Sequence, residues 1–244
     1  MSKITVVMPA YNAGKTLRDT YERILGQRVD EIILVDDASR DDTFVQAKEL
    51  GIISILHRHN LGYGGNQKTC YTEALQRGAD VVVMVHPDGQ YDPAFLGQIV
   101  EPILNGKADV VLGSRMVYRN QARKGGMPLY KFVSNIGLTT MENLVLGQHL
   151  SEYHTGYRAY SRKFLETVPF LRNSNDFVFD TEVLVQASHL KMRIAEIPIT
   201  TKYFTEASSV SFKNSVIYGL KTLWVLTRYL LHRSNVWTCR LFLP

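Results

Sequence analysis

Cysteine is scarce in this chain: Cys70 and Cys239 are the only two. They form no metal-ligand spacing, which sets aside a cysteine-held metal, and their scarcity points to a reducing compartment. Long apolar runs are also missing; none approaches the ~18 residues of a membrane span. No phosphate loop ending in Gly-Lys-Ser/Thr is present, and Gly62–Tyr63–Gly64–Gly65 does not complete a Gly-x-Gly-x-x-Gly fingerprint. That stretch also follows the third expected strand rather than the first, which demotes a dinucleotide-dependent dehydrogenase. The basic residues are not interleaved with aromatics for base stacking, so no nucleic-acid partner is expected. No secretory leader is expected either, since Met1–Ser2–Lys3 runs straight into a strand.

What is present suffices for a full core. The chain has 244 residues, 45% of them hydrophobic. This suits one large α/β domain over residues 1–205 and a helical extension over 206–244. The net charge of +5 is unevenly placed. Arg115, Arg119, Arg123, Lys124 and Lys131 lie in one stretch without an acid, and Lys213, Lys221, Arg228, Arg233 and Arg240 face only Glu206. Such stretches favour anionic partners such as phosphates or an anionic membrane surface.

Strand and helix patterns alternate with short connections. Strands are expected over Ile4–Met8, Ile32–Val35, Ile53–Leu56, Val81–Val85 and Asp109–Leu112, with helices over Lys15–Leu25, from Asp41 to Leu50, about Gln67–Arg77 and Pro93–Leu104. This is the pattern of a mainly parallel sheet covered on both faces. Ligands bind such sheets at the C-terminal ends of the strands. Here those ends carry Tyr11–Asn12, Asp36–Asp37, Asn60, Asp88 and Ser114–Arg115. Beyond them, Val117–Pro128 reads as an aperiodic basic loop, Leu129–Leu146 as a helix, Glu152–Tyr160 as a polar turn into an extended segment, Arg162–Val168 as a short helix, the stretch after Asn175 as the lead into another, and Met192–Ile199 as a strand. Ser211–His232 has an amphipathic stripe (Val216, Ile217, Leu220, Leu223, Trp224, Leu231) that suits docking, self-association or a membrane surface.

The chemistry concentrates on His86–Pro87–Asp88–Gly89–Gln90, where a buried strand breaks into a tight turn. A hard cation takes oxygens from one or two carboxylates and leaves positions for phosphate and water. Asp88 fits, with Gln90 or His86 assisting; the alternative is a polar turn capping the next helix. The glycines at 62–65 suit either close approach to a ligand or a tight turn.

Val7–Met8–Pro9–Ala10–Tyr11–Asn12, Val35–Asp36–Asp37–Ala38–Ser39, Asn60–Leu61–Gly62, Asp88–Gly89–Gln90, Gly113–Ser114–Arg115 and Thr155–Gly156–Tyr157–Arg158–Ala159–Tyr160 follow one another in that order. Together they resemble the family 2 glycosyltransferases of GT-A fold, in particular the polyprenyl-phosphate sugar transferases. The resemblance spans about residues 3–205. It implies an inverting transferase that uses a nucleotide-diphosphate sugar and Mg²⁺ or Mn²⁺. Pro9, Tyr11, Asn12, Asp36 and Asp37 would hold the nucleoside, with Asn60, Gly64 and Lys68 completing the donor site. Asp88, Gln90 and His86 would hold the metal. Arg115, Arg119, Arg123, Lys124 and Arg158 would receive a phosphate acceptor, with Asp88, Arg115 and Arg158 in the reaction itself. The family's Asp-x-Asp motif is His86–Pro87–Asp88 here, and an imidazole tilts the site from Mg²⁺ towards Mn²⁺. Ala13 stands where lipid-phosphate mannosyltransferases carry an acid.

A lipid phosphate acceptor is already ionised and needs no base. A hydroxyl acceptor, as in cell-surface polysaccharide synthesis, would need one, with Asp180 the candidate and Glu182 the reserve. A non-catalytic nucleotide-sugar binder and a nucleotidyltransferase stay open as well; Pro9–Gly14 lacks the arginine of the latter. The expected location is cytoplasmic, peripheral to the membrane.

Overall fold

The computed structural model describes residues 2–201 and 212–243. Its centre is a seven-stranded sheet of order β3-β2-β1-β4-β6-β5-β7. The strands are β1 (Ile4–Ala10), β2 (Glu31–Asp36), β3 (Ile53–Leu56), β4 (Val81–Met84), β5 (Val110–Ser114), β6 (Arg158–Ser161) and β7 (Ile194–Pro198). All neighbouring pairs are parallel except those of β6, which runs antiparallel between β4 and β5. The fold is therefore the expected α/β one with a mainly parallel sheet.

Side chains alternate across a strand, and this splits the core into two layers. Val6 and Met8 of β1 face one layer with Leu17 and Ile24 of α1 (Leu17–Leu25), Ala47 of α2 (Thr43–Glu49) and Ile99 of α4 (Leu96–Leu104). Val7 faces the other, with Tyr71 and Ala74 of α3 (Tyr63–Gln76). Each fully buried Val, Leu, Ile or Met among them contributes about 1.5–3 kcal/mol.

Two stretches differ from expectation. Helix α3 starts at Tyr63, not near Gln67, because the Asn66 N–H donates to the Gly62 carbonyl at 2.9 Å and closes a first turn through the glycines. Residues 117–128 are not wholly loop: α5 (Arg119–Lys124) lies within them, and Met116, Ala122 and Met127 pack against Phe132 and Ile136. Those last two belong to α6 (Leu129–Leu146), which has the expected bounds.

After β6 come α7 (Arg162–Thr167), α8 (Phe179–His189), and, beyond β7, α9 (Phe212–Arg233). Helix α8 is buried all round from Phe179 to Ala187. Val225, Leu226 and Tyr229 of α9, with Leu241 and Phe242, join the same core layer as Tyr71. The expected boundary at residues 205 and 206 lies outside the described residues. No helix among the described residues is long and apolar enough to cross a membrane.

Candidate active site

The site forms at the rim where β1, β2, β4 and β5 end. Because β6 is antiparallel, its first residue lies there too: Arg158 pairs in register with Met84 of β4 and Leu112 of β5. The segment before it, residues 152–157, is thereby brought over the ends of β4 and β5.

The turn after β4 is as the sequence suggests. Gly89 takes φ 71°, and the Gln90 N–H donates to Asp88 Oδ1 at 3.0 Å. Asp88, Gln90 and His86 line one pocket of about 230 Å³, together with Tyr63, Arg115 and Lys131. The His86 ring stacks on Tyr63 at 5.5 Å, and its Nε2 lies 3.3 Å from the Tyr63 hydroxyl. A Cβ on Gly156 would stand 3.0 Å from the same ring, so glycine there makes room for the imidazole. Among the described residues no three of His, Cys, Asp and Glu converge as a metal cage. The donor set is one carboxylate and one amide on a single turn, which fits a hard cation whose remaining positions are filled by a diphosphate and water.

The residues expected to hold the nucleoside do not line this pocket. Pro9 is buried in β1, and Tyr11 projects outward, 48% exposed. Asn12 stands at φ 52°; its N–H donates to Ser39 Oγ and its Oδ1 accepts from the Arg40 N–H, both at 2.8 Å. Asp36 is fully buried and accepts from the Ser39 N–H at 2.7 Å. Asp37 accepts from the N–H groups of Leu61 (2.8 Å) and Gly62 (2.9 Å) and lies 2.7 Å from His57 Nδ1. Asn60 Nδ2 donates to the Asp37 carbonyl at 3.1 Å. Asp36, Asp37 and Asn60 thus shape the rim through bonds to the chain itself.

Gly64 and Lys68 face another way from that expected. A Cβ on Gly64 would stand 2.4 Å from the Ser174 carbonyl, and the Gly64 N–H donates to the Asn175 carbonyl at 2.8 Å. Lys68 Nζ donates to the Asn173 carbonyl and to Asn175 Oδ1. The close approach is between two parts of this chain, not to a donor.

The two arginines expected at the acceptor part ways. Arg158 is wholly buried. It donates to the carbonyls of Thr155 (2.7 Å), Tyr153 (2.9 Å) and Asp180 (3.1 Å) and pairs with the Asp180 carboxylate at 3.4 Å. It cannot touch an acceptor; it positions residues 153–155 and α8. Arg115 does line the pocket. Its backbone N–H (2.8 Å) and Nε (2.9 Å) donate to the buried Glu152, and its Nη2 donates to the His154 carbonyl at 2.7 Å. Arg119 and Arg123 belong to α5, where Arg123 donates to the Met127 carbonyl at 2.7 Å, and neither lines the pocket. The Lys124 side chain lies outside the described residues.

Asp180 lines the pocket, but both its oxygens are engaged: Tyr63 donates to Oδ2 at 2.8 Å and Gln67 to Oδ1 at 3.1 Å. Glu182 points away and accepts from Ser174, and burial pushes its carboxyl up. His154 contacts Tyr218 of α9 at 2.8 Å and Glu142 of α6 at 3.1 Å, a structural tie between two helices.

Sequence reasoning missed Lys131, Glu152 and Tyr63. Lys131 lies in the first turn of α6, makes no ion pair among the described residues, and faces the pocket beside Arg115. Burial and the Arg115 charge both lower its pKa. Its place in the acid-free stretch was the available signal. Glu152 and Tyr63 carried none.

Residues 5–168 match the family Glycosyl transferase family 2. The chain is 32% identical over 240 residues to the UDP-N-acetylglucosamine–dolichyl-phosphate N-acetylglucosaminyltransferase of Methanococcus voltae, covering 91% of this chain and 94% of that one. It is 29% identical over 209 residues to the polyprenol monophosphomannose synthase of Mycolicibacterium smegmatis, covering 82% and 77%. Glucosyl-3-phosphoglycerate synthase from Mycobacterium tuberculosis, solved with Mn²⁺, UDP and its product, superposes with a TM-score of 0.70 at 18% identity over 93% of this chain and 80% of that one. That likeness gives the fold, GT-A. The match over residues 5–168, and a relative 32% identical along nearly the whole chain, place this protein in glycosyl transferase family 2.

Proposed function

We propose that this glycosyltransferase moves a sugar from a nucleotide-diphosphate sugar to a polyprenyl phosphate. The observation that carries the reading is the pocket itself: Asp88 and the cations Arg115 and Lys131 line one hollow of about 230 Å³. The names of two relatives support it, one a dolichyl-phosphate N-acetylglucosaminyltransferase and the other a polyprenol monophosphomannose synthase. A phosphate oxygen of the acceptor attacks the anomeric carbon, the bond from that carbon to the diphosphate breaks, and the configuration inverts. The nucleoside diphosphate leaves with the bonding pair. The acceptor oxygen is already ionised, so no base is required; cations must steady it, and the Lys131 ammonium, with the Arg115 charge beside it, would supply that.

Asp88 and Gln90 would hold Mg²⁺ or Mn²⁺, which when bound supplies neutralisation of the charge growing on the diphosphate. His86 lines the same pocket, stacked on Tyr63. The engaged Asp180 gives no support to a base-dependent hydroxyl acceptor. A lipid acceptor also places the protein at a membrane surface. Leu129, Val133 and Leu144 of α6 and Leu220 and Trp224 of α9 are exposed, and we read them as facing anionic lipid.

The test is transfer from labelled UDP- and GDP-sugars to polyprenyl phosphate and to the matching polyprenol, with Mn²⁺, Mg²⁺ or chelator. Product from the phosphate alone, lost with chelator and in Asp88→Ala, is expected. Lys131→Met should raise the acceptor KM about tenfold, the equivalent of 1.4 kcal/mol. Equal transfer to the polyprenol would refute the reading.

A further inference from the structure

Helices α6 and α9 pack side by side and leave between them an apolar groove of about 350 Å³. Tyr130, Ser134, Leu138 and Ser215 line both this groove and the pocket that holds Asp88. The two are one continuous hollow, charged at one end and apolar at the other. The apolar end is lined by Leu223 and by Leu220, which is 63% exposed.

Each helix places a glycine in this groove, Gly137 in α6 and Gly219 in α9. A glycine weakens a helix interior relative to alanine, so its presence needs a reason. Backbone conformation is not the reason, because neither has a positive φ. Packing is not the reason either. Among the described residues, a Cβ on Gly137 would have nothing within 4 Å, and one on Gly219 would meet only Leu138 Cδ1 at 3.7 Å, an ordinary contact. What a side chain at either position would occupy is the groove.

We propose that Gly137 and Gly219 set the bore of a seat for the isoprene units next to the acceptor phosphate, and so help decide which acceptors are used. The inference rests on the proposed function. Its occupant follows from the continuity of the hollow: a molecule with a phosphate head and a hydrocarbon tail matches a cavity that offers Lys131 and Arg115 at one end and is apolar along its length. A small polar acceptor would use only the first part.

The test measures acceptor KM with a long-chain polyprenyl phosphate for wild type, Gly137→Ala, Gly137→Leu and Gly219→Leu, with donor affinity read separately by thermal shift. Both leucine variants should raise the KM about tenfold or more while donor affinity holds. Gly137→Ala should raise both the melting temperature and the KM, a pairing that a folding defect cannot produce. Unchanged KM in all three folded variants would overturn the groove assignment alone. A wild-type protein that transfers nothing to any polyprenyl phosphate would overturn the function reading, and this inference with it.

Discussion

Glu152 is wholly buried, and burial alone would push its carboxyl up. The charge and hydrogen bonds of Arg115, with a bond from Asn135, outweigh that and leave it below the ordinary value of 4.5. A group whose pKa is lowered by folding contributes stability that is present above the unfolded value and lost as pH falls through the folded one. The melting temperature should therefore drop as pH falls below about 4.5, and Glu152→Gln should flatten that limb. At neutral pH Glu152→Gln should cost about 3 kcal/mol, because it leaves a largely buried guanidinium without its counter-charge; urea unfolding at both pH values checks the pair of claims. Glu182 and Glu196, raised by burial, oppose this trend, since they lose stability as pH rises through their range. At this scale the sequence shows residue type and position in the motif but not burial. Asp88 was legible because a strand ends and breakers follow it. Arg158 was not, because its side chain turns inward from the same rim and spends its donors on three carbonyls.

At the scale of elements, helix α3 shows what its glycines do. Gly64 and Gly65 let the first turn lie against residues 174 and 175 and Leu61, where a Cβ would come within 2.4 and 2.8 Å of a neighbouring atom. Gly64→Ala must push back a backbone carbonyl, and about 1–3 kcal/mol of stability should be lost, as for other overpacked sites. Gly97 in α4 is the control, since a Cβ there meets nothing within 4 Å among the described residues. Gly97→Ala should stabilise by about 0.5–1 kcal/mol. Thermal melts of the two variants side by side would expose an error in either sign. Strand and helix periods made β3, α6 and α7 legible nearly to the residue. Helix α5 was not, because six residues are too few to show a period. The start of α3 was misplaced because two glycines read as loop until the segment packed against them is known.

For the whole molecule, α9 is the element that the sequence left most open. It closes one wall of the pocket with Tyr218, adds Val225 and Leu226 to the core, and still leaves Trp224 exposed. Trp237 stands beside Trp224 at 6.3 Å, and such amphipathic rings favour the level of lipid headgroups. The protein should co-sediment with vesicles containing anionic lipid. Binding should weaken as salt rises towards 1 M, where the screening length is about 3 Å. Replacing both tryptophans by serine should remove most of the salt-resistant remainder; undiminished sedimentation would count against a membrane-facing α9. The sheet order has a consequence in time as well as in space. Among the described residues, strand β5 hydrogen-bonds only to β6 and β7, both made later, whereas β1 to β4 pair with one another and leave the outer edge of β4 for β6. Domains form from the N-terminus during synthesis. On the ribosome, the half bearing Asp37 and Asp88 can close early, while β5, with Arg115 following it, waits for β6 to emerge and give it a partner.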